Sequence, residues 1–207
     1  MAPPAYIALE GPEGCGKSTQ SRLLATTLGA VVTRETGGTP VGQRLREILH
    51  DIAVTDLDAR AEALMTAADR AQHMATVVRP ALEAGRHVVS DRSVYSTLAY
   101  QGYGRELPLD DVRRINDWAL RGTWPSLVVL LEVPATAIAR RMHSRQLDRF
   151  ELEDPAFHQR VVTGFREMAD HDPGRWVVVD ATRPTEHVAA DIARLVADRL
   201  GIRAAAR

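Results

Sequence analysis

The sequence predicts a doubly wound α/β domain built on a five-stranded parallel sheet, and three observations support this fold class. Short apolar segments alternate with longer segments of helical periodicity, which is typical of βαβ units with right-handed crossovers. The apolar run at 127–133 is typical of a strand covered on both faces. A length of 207 residues and a hydrophobic content of 45 % suit a single folded domain over 1–207.

The first element is predicted to be a strand at 6–10, because an apolar run there ends in a glycine-rich turn before a helical pattern over 18–28. Further short apolar runs predict four more strands, at 31–33, 87–91, 127–133 and 176–180. The periodic segments predict helices across roughly 40–50, 58–84 and 185–200. Ligands of such sheets bind at the carboxyl ends of the strands, so side chains that follow strands are candidate site residues.

Composition excludes several classes of function. The chain carries 26 basic and 27 acidic residues, a formal net charge of −1, which excludes a broadly basic surface for nucleic acid or anionic membrane. No apolar run reaches the ~18 residues of a membrane span, and the N-terminal pattern is not that of a signal peptide. The single cysteine excludes an internal disulfide framework and favours a cytoplasmic location.

The segment that follows the first strand carries the strongest motif. Its sequence, GPEGCGKS at 11–18, matches the phosphate-binding loop G-x-x-x-x-G-K-[ST]. In such a loop the glycines allow backbone N–H groups to converge on phosphate oxygens, the lysine reaches the β and γ phosphates, and the hydroxyl ligates Mg²⁺. The fold class is therefore refined to a P-loop NTPase. The predicted nucleotide-binding residues are Gly11, Pro12, Glu13, Gly14, Cys15, Gly16, Lys17, Ser18 and Thr19.

Two residues of this loop have additional interpretations. Lys17 is the only lysine among the 26 basic residues, which indicates a site where arginine could not replace a compact ammonium group. Cys15 is either a redox-sensitive thiol, since a helix N-terminus lowers the pKa of a thiol, or a position that requires a small side chain. The second interpretation is favoured, because no other feature of the sequence indicates regulation.

Three further sequence features supply candidate site residues: two segments that follow predicted strands and one cluster of arginines. Asp91 ends the third strand and suits the water shell of Mg²⁺, while the adjacent Arg92 suits a bound phosphate. Arg34, in a glycine-rich turn after the second strand, points to the same cleft. Arginines at 140, 141, 145 and 149 form the cluster, and their spacing predicts that 141, 145 and 149 share one helix face. The alternative is a solvated basic face.

Taken together, these segments resemble the thymidylate kinase family. The family's motifs occur in order as EGPEGCGKS at 10–18, TRETGGT at 33–39, AADRAQ at 67–72, DRSVYSTLAYQG at 91–102 and DRFE at 148–151. The P-loop alone is generic, but the combined set is specific. The resemblance implies transfer of the ATP γ-phosphoryl group to dTMP to give dTDP, with Mg²⁺ held through Ser18 and Asp91, small nucleotides as the only ligands and, commonly, a homodimer.

The resemblance also implies roles for individual residues. Glu13 contacts the 3′-hydroxyl of the acceptor, and Arg34 and Arg92 hold its phosphate. Around the base, Arg70 bonds the pyrimidine carbonyl and Thr97 the ring N–H. The remaining acceptor residues are Thr66, Tyr100, which excludes a 2′-hydroxyl, and Gln101. A lid over about 141–153 supplies cations to the transition state, Arg145 being the first candidate, followed by Arg149 and Arg141. The predicted catalytic set is Lys17, Arg92, Arg145, Arg149 and Glu13.

This chain departs from the family pattern at three positions. Thr66 stands where the family has a phenylalanine that stacks on the base, Thr36 replaces a proline and Ser93 replaces an aromatic residue. These departures leave open a related kinase for another pyrimidine nucleotide. A P-loop protein that uses ATP or GTP as a conformational switch is a second alternative, although arginines on three loops favour a second anionic ligand. His50 and His87 are interpreted as ordinary boundary residues.

Overall fold

A computed structural model describes residues 3–142 and 146–202 of the chain. Its centre is a five-stranded sheet with the strand order β2-β3-β1-β4-β5, in which every neighbouring pair is parallel. The predicted fold class is therefore confirmed. The strands are β1 (Tyr6–Glu10), β2 (Val31–Arg34), β3 (Val88–Asp91), β4 (Leu127–Glu132) and β5 (Trp176–Asp180).

Helices cover both faces of this sheet. Their bounds are α1 (Lys17–Leu28), α2 (Pro40–His50), α3 (Ala59–His73), α4 (Arg79–Glu83), α5 (Val94–Thr97), α6 (Leu109–Leu120), α7 (Ala135–Met142), α8 (Pro155–His171) and α9 (Thr185–Leu200). Two π-helical segments, Met74–Val78 and Leu98–Gly104, extend α3 and α5. The helix predicted over 58–84 thus forms, but with a wider turn before Pro80. That proline has no N–H to donate, and the N–H of Arg79 bonds five residues back to the carbonyl of Met74.

The alternation of side chains along β4 divides the core into two halves. Val128 and Leu130 face a cluster that includes Phe157 and Phe165 of α8. Leu127, Val129 and Leu131 face a second cluster, formed with α1 and α9. Both faces of the strand are therefore buried, which explains why its sequence is an apolar run rather than an alternating one.

The strand register places the predicted site residues along one edge of the sheet. Arg34 at the end of β2 is level with Asp91 at the end of β3, and Asp91 is level with Leu9 in β1. The P-loop leaves β1 directly after this level. Tertiary structure thus brings three separate sequence segments to one crevice, as expected at the carboxyl edge of a parallel sheet.

Within the described residues, no helix is both long and apolar enough to span a membrane.

Candidate active site

A cleft of about 420 Å³ opens at the carboxyl edge of the sheet. Most of the predicted site residues line it: Glu13, Gly14, Gly16, Lys17, Ser18, Thr19, Arg34, Thr66, Arg70, Asp91, Arg92, Thr97, Tyr100, Gln101 and Arg141. Sequence reasoning missed other members of the lining, including the cationic Arg46 and the imidazole of His50. The cleft therefore joins the P-loop to side chains from α2, α3, α5 and the segment after α7.

The backbone of the P-loop requires glycine where it turns. Gly11 has a φ of 137°, and a Cβ there would lie 2.7 Å from the carbonyl oxygen of Leu131, so no larger residue fits. Cys15 is buried, and its Sγ would lie 3.0 Å from the same Cβ. This tight packing supports the interpretation of Cys15 as a position that requires a small side chain.

Lys17 and Ser18 begin α1 and face the phosphate site. The Lys17 ammonium is buried and donates to the carbonyl oxygens of Gly11, at 3.0 Å, and Pro12, at 2.7 Å. The Ser18 hydroxyl donates to Asp91 Oδ2. The side chains predicted to hold phosphate and metal thus lie close together at the start of α1.

The Ser18 and Asp91 pair fits a magnesium ion rather than an all-protein metal centre. Within 3–142 and 146–202, no group of three or more His, Cys, Asp or Glu side chains could hold a metal ion. Magnesium in kinases takes one or two protein oxygens and completes its octahedron with phosphate oxygens and water. A hydroxyl and a carboxylate at the mouth of the P-loop match this requirement.

Arg92 lies at the centre of the polar network in the cleft. Its φ of 70° is left-handed, and its backbone N–H bonds to Leu9 at 2.9 Å, so its side chain turns back over the P-loop. The guanidinium forms an ion pair with Glu13, and it donates to the Tyr100 hydroxyl at 3.2 Å and to Ser96 Oγ at 2.9 Å. Burial alone would raise the pKa of Glu13, but the surrounding cations, Arg92 first and Lys17 next, together outweigh burial and hold the pKa at about 2.

Behind Arg92, the buried carboxylate of Glu10 explains one departure from the family pattern. Glu10 accepts hydrogen bonds from the hydroxyls of Ser93, at 2.7 Å, and Ser96, at 2.6 Å. Burial raises the pKa of Glu10, against the lowering effect of Arg92. Ser93 therefore supports the floor of the site instead of presenting an aromatic ring.

Arg46 is a cleft residue that the motifs did not indicate. It lies on the face of α2 that also carries the buried Gly42 and Leu49, at the spacing of one or two helical turns. Burial lowers the pKa of Arg46, as do the nearby cations Arg34 and Arg92. Three guanidinium groups therefore converge on this part of the cleft, as an anionic ligand requires. Helical spacing from Gly42 is the sequence signal that could have identified Arg46.

Arg70 is almost fully buried and makes four hydrogen bonds. It donates from Nε to Glu35 Oε2 at 2.9 Å and from Nη2 to Thr97 Oγ1 at 3.0 Å; the other acceptors are the Ser93 carbonyl and Asn116. Burial alone would raise the pKa of Glu35, but Arg70 and His73 hold it below its ordinary value. A guanidinium has five N–H donors, and these bonds use every one except a single N–H on Nη1.

Two further predicted residues line the same region. The hydroxyl of Thr66 donates to the Ala63 carbonyl at 2.8 Å, within its own helix. The Gln101 amide donates to Glu62 at 2.8 Å. Glu35 and Thr36 are joined by a cis peptide bond, at the position where the family has proline.

The arginine cluster does not form the single helix face predicted from its spacing. Arg141 lies near the end of α7, lines the cleft and donates to the carbonyl oxygens of Gly14 and Ala181, both at 3.1 Å. Arg149 lies beyond the end of α7, in a turn that packs against α2 and α3, so the prediction was wrong for this residue. Arg145, the first candidate for a lid cation, lies outside the described residues.

The two histidines differ in their surroundings. The ring of His87 accepts a hydrogen bond from the Ala5 N–H at 3.0 Å, as expected for a boundary residue. The His50 ring, in contrast, lines the cleft and lies 2.7 Å from Asp148 Oδ2. Burial alone would raise the pKa of Asp148, but the hydrogen bond with His50 lowers it.

The sheet order, the loop after β1 and the Lys17 and Ser18 pair define a P-loop nucleotide-binding protein of the NTPase fold. The model of one family, Thymidylate kinase, matches residues 9–192. The chain therefore belongs to the thymidylate kinase family, which confirms the resemblance seen in the motifs.

Individual relatives agree with the family match. The chain is 45 % identical to a thymidylate kinase of Nitratidesulfovibrio vulgaris (strain DP4), over 95 % of this chain and 93 % of the relative. It is 47 % identical to one of Leifsonia xyli subsp. xyli, over 92 % and 93 % respectively. A crystal structure of thymidylate kinase from Ehrlichia chaffeensis is similar with a TM-score of 0.77 and 28 % identity, covering 93 % of this chain and 97 % of that one.

Proposed function

We propose that this chain is a dTMP kinase that transfers the γ-phosphoryl group of ATP to dTMP. The observation that carries the proposal is that Arg34, Arg46 and Arg92 line the same cleft as the P-loop. A kinase for a nucleoside monophosphate must bind two anionic ligands side by side, whereas a switch protein needs a single nucleotide. Family membership favours dTMP as the acceptor over the alternatives raised from the sequence.

The acceptor is bound through its phosphate, sugar and base by separate groups. Arg34 and Arg92 neutralise the phosphate, and Arg46 adds a third cation close to both. Glu13 stays ionised, since its pKa is about 2, and can accept a hydrogen bond from the 3′-hydroxyl of the sugar. Tyr100, which contacts both Glu13 and Arg92, borders the sugar and excludes a 2′-hydroxyl.

The base is bound by the groups at the inner end of the cleft. The free Nη1 donor of Arg70 bonds a pyrimidine carbonyl, while Thr97 Oγ1 keeps one lone pair to accept the ring N–H. Thr66 and Gln101 complete the lining. The contacts of Arg70 with Glu35 and Asn116 fix its plane, so the base meets a preorganised donor.

ATP is the proposed donor, held by the backbone of the loop 11–16, the Lys17 ammonium and Thr19. Ser18 and Asp91 would hold Mg²⁺, which when bound neutralises phosphate charge and orients the phosphates. Lys17 exchanges its carbonyl partners for phosphate oxygens. Since Gly11 and Pro12 are its present partners, the lysine is already directed to the centre of the loop.

Catalysis requires positioning and charge neutralisation more than acid–base chemistry. The attacking group is a phosphate dianion, which needs no strong general base. Arg92 bridges the acceptor side and the P-loop, because its Nη1 also donates to the Gly11 carbonyl at 3.3 Å. Arg141 and Arg145 are the proposed lid cations, and closure of the lid would exclude water from the reacting phosphates.

A homodimer in a cytoplasmic location completes the proposal. α2, α3 and the segment between them leave large apolar side chains exposed: Val41, Ile48, Ile52 and Leu64, each 46–57 % accessible. A second copy of the chain would cover this face, since exposed apolar clusters of this kind mark protein interfaces. The cytoplasmic location rests on the single cysteine, which suits a reducing compartment.

A coupled assay of ADP release with ATP and Mg²⁺ tests the function. The acceptors are dTMP, dUMP, dCMP, dGMP, UMP and thymidine, each offered alone. The proposal requires the highest kcat/KM with dTMP. Turnover of another pyrimidine nucleotide in preference to dTMP would contradict the acceptor, and ATP hydrolysis that no acceptor accelerates would contradict the kinase itself.

A further inference from the structure

Glu62, on α3, is a buried carboxylate for which the proposed chemistry has no direct use. Its side chain is fully inaccessible to solvent. It accepts four hydrogen bonds: from Gln101 at 2.8 Å, from Arg105 at 3.1 and 3.2 Å, and from Arg149 at 2.5 Å. Burying a carboxylate is costly unless cations compensate it, so Glu62 and the two arginines form one interdependent unit.

The contact with Arg149 connects this unit to the turn 148–151, which lies within the lid predicted over about 141–153. Arg149 also donates from Nε to the Leu49 carbonyl at 2.9 Å, and its backbone N–H donates to the His50 carbonyl at 3.3 Å. Arg149 thus attaches the turn 148–151 to the end of α2 by two hydrogen bonds and to α3 by the Glu62 ion pair. The Arg149 side chain is 13 % exposed and is not part of the cleft lining.

The two neighbours of Arg149 in this turn do line the cleft. Asp148 pairs with His50 at 2.7 Å. Phe150 is buried, its ring centroid lies 5.8 Å from that of Tyr100, and the Arg149 guanidinium lies 4.7 Å from the Phe150 ring centroid. Since Tyr100 contacts Glu13 and Arg92, the turn forms the wall of the cleft on the acceptor side.

We propose that Glu62 is a positioning residue for the acceptor: through Arg149 it fixes the turn 148–151, so that Asp148 and Phe150 form the cleft wall against which the monophosphate binds. This inference rests on the proposed function. It assigns Arg149 a positioning role instead of a role as a transition-state cation. Arg105, whose second partner is Glu153 at 2.5 Å, ties the same unit to the next part of the chain.

The test compares Glu62→Gln with the wild type and with Glu132→Gln, which removes a carboxylate paired with Arg166 at 2.9 Å, outside the cleft lining, and leaves Arg149 untouched. We expect Glu62→Gln to raise the KM and the Kd for dTMP by about tenfold or more, as for the loss of one hydrogen bond between charged groups. The KM for ATP should stay within about twofold of the wild type, because the P-loop is unchanged. Glu132→Gln should change neither constant.

Arg149→Gln is the second variant, and it removes the link to the turn while leaving the pair of Glu62 and Arg105 in place. It should reproduce the rise in the KM for dTMP, so the inference can be tested even if Glu62→Gln does not fold. A fall in kcat with both KM values unchanged would show that Arg149 acts on the transition state and would overturn the inference. Equal increases in both KM values would also overturn it, since they indicate a general loss of structure.

The wild type distinguishes this inference from the proposed function. If the wild type phosphorylates dTMP and Glu62→Gln binds dTMP normally, the positioning role is wrong and the function stands. If the wild type does not phosphorylate dTMP, the proposed function is wrong and the inference fails with it. Circular dichroism and thermal unfolding of each variant verify that the compared proteins are folded.

Discussion

At the scale of single residues, Lys17 gives the most direct test of the P-loop. Its ammonium is buried and lies between two loop carbonyls, so the pocket has the size of an ammonium and not of a planar guanidinium. We expect Lys17→Arg, like Lys17→Ala, to abolish phosphoryl transfer while the fold stays intact. Steady-state kinetics and circular dichroism measure this.

The control for Lys17→Arg is Arg22→Lys, which makes the opposite exchange on the exposed side of α1. It should leave the activity unchanged. Near-normal turnover of Lys17→Arg would contradict the conclusion drawn from the single lysine of the chain.

Glu13 gives a pH-dependent prediction. Because its pKa is depressed from 4.5 to about 2, the ionised carboxylate stabilises the folded state above pH 4.5 and loses this contribution as the pH falls toward 2. The Tm of the wild type should exceed that of Glu13→Gln at neutral pH, and the difference should shrink over that acidic range. Thermal unfolding over a pH series measures it. Glu83→Gln, at an exposed position of α4, is the control. Its difference in Tm from the wild type should not shrink between pH 4.5 and pH 2.

Thr66 tests the base pocket. Phenylalanine there would add a flat apolar surface, and stacking on a base is worth about 1–3 kcal/mol, or roughly one to two orders of magnitude in affinity. The Thr66 hydroxyl donates to the Ala63 carbonyl, so the hydrogen bond that the substitution removes lies within α3 itself. We expect Thr66→Phe to lower the KM for dTMP if the pocket is under-filled.

Measuring the KM of Thr66→Phe for a panel of nucleotides tests which base the pocket accepts. If the pocket serves a bulkier pyrimidine, Thr66→Phe should block that substrate. Ala68→Phe, at an exposed position of α3, is the matched insertion and should have no effect. An unchanged KM for every substrate would show that Thr66 does not face the base.

At the scale of elements, the arginines of the lid are predicted to have two different roles, transition-state stabilisation and positioning of the acceptor. A cation that acts on the transition state changes kcat, whereas one that positions the acceptor changes KM. Arg145→Ala should lower kcat by ~10³-fold or more with little change in either KM, the effect typical of a cationic finger. The control is Arg140→Ala, at an exposed position of α7. A change confined to the KM for ATP would make Arg145 a binding residue.

The bounds of α7 explain why the spacing of the arginines wrongly predicted that Arg149 shares a helix face with Arg141. A spacing of four residues aligns side chains only within one continuous helix, and α7 ends at Met142. Beyond that point the chain reaches the turn 148–151, where Asp148 accepts the N–H groups of Phe150 and Glu151 at 3.0 and 3.1 Å. Arg149 therefore faces α3 instead of continuing the row begun by Arg141.

At the scale of the whole molecule, the exposed face of α2 and α3 predicts the assembly. Ile48→Glu would place a charge among these exposed apolar side chains and should convert the proposed homodimer to a monomer. Sedimentation velocity at fixed protein concentration measures the mass. Val178→Glu, on the edge strand β5 at a side chain that is 40 % exposed, is the control and should leave the assembly unchanged. A wild type that is monomeric at all concentrations would contradict the homodimer.

The sequence by itself determined the fold class and the phosphate site of this protein. Alternation of apolar runs and helical segments predicted all five strands, because a parallel sheet buried on both faces leaves a local signature. The P-loop was equally clear, since Gly11, Lys17 and Ser18 lie within one short segment whose geometry is local. The family motifs then identified Arg34, Arg70 and Arg92, which do line the cleft.

Tertiary structure alone decided which charges meet. The partners of Glu62 lie 39, 43 and 87 residues away in sequence, and those of Arg70 up to 46. No local pattern encodes such pairs, because the packing of α3 against α2, α5 and the turn 148–151 creates them. For the same reason Arg46 and His50 were missed: each looks like an ordinary helix residue until the carboxyl edge of the sheet places it in the cleft.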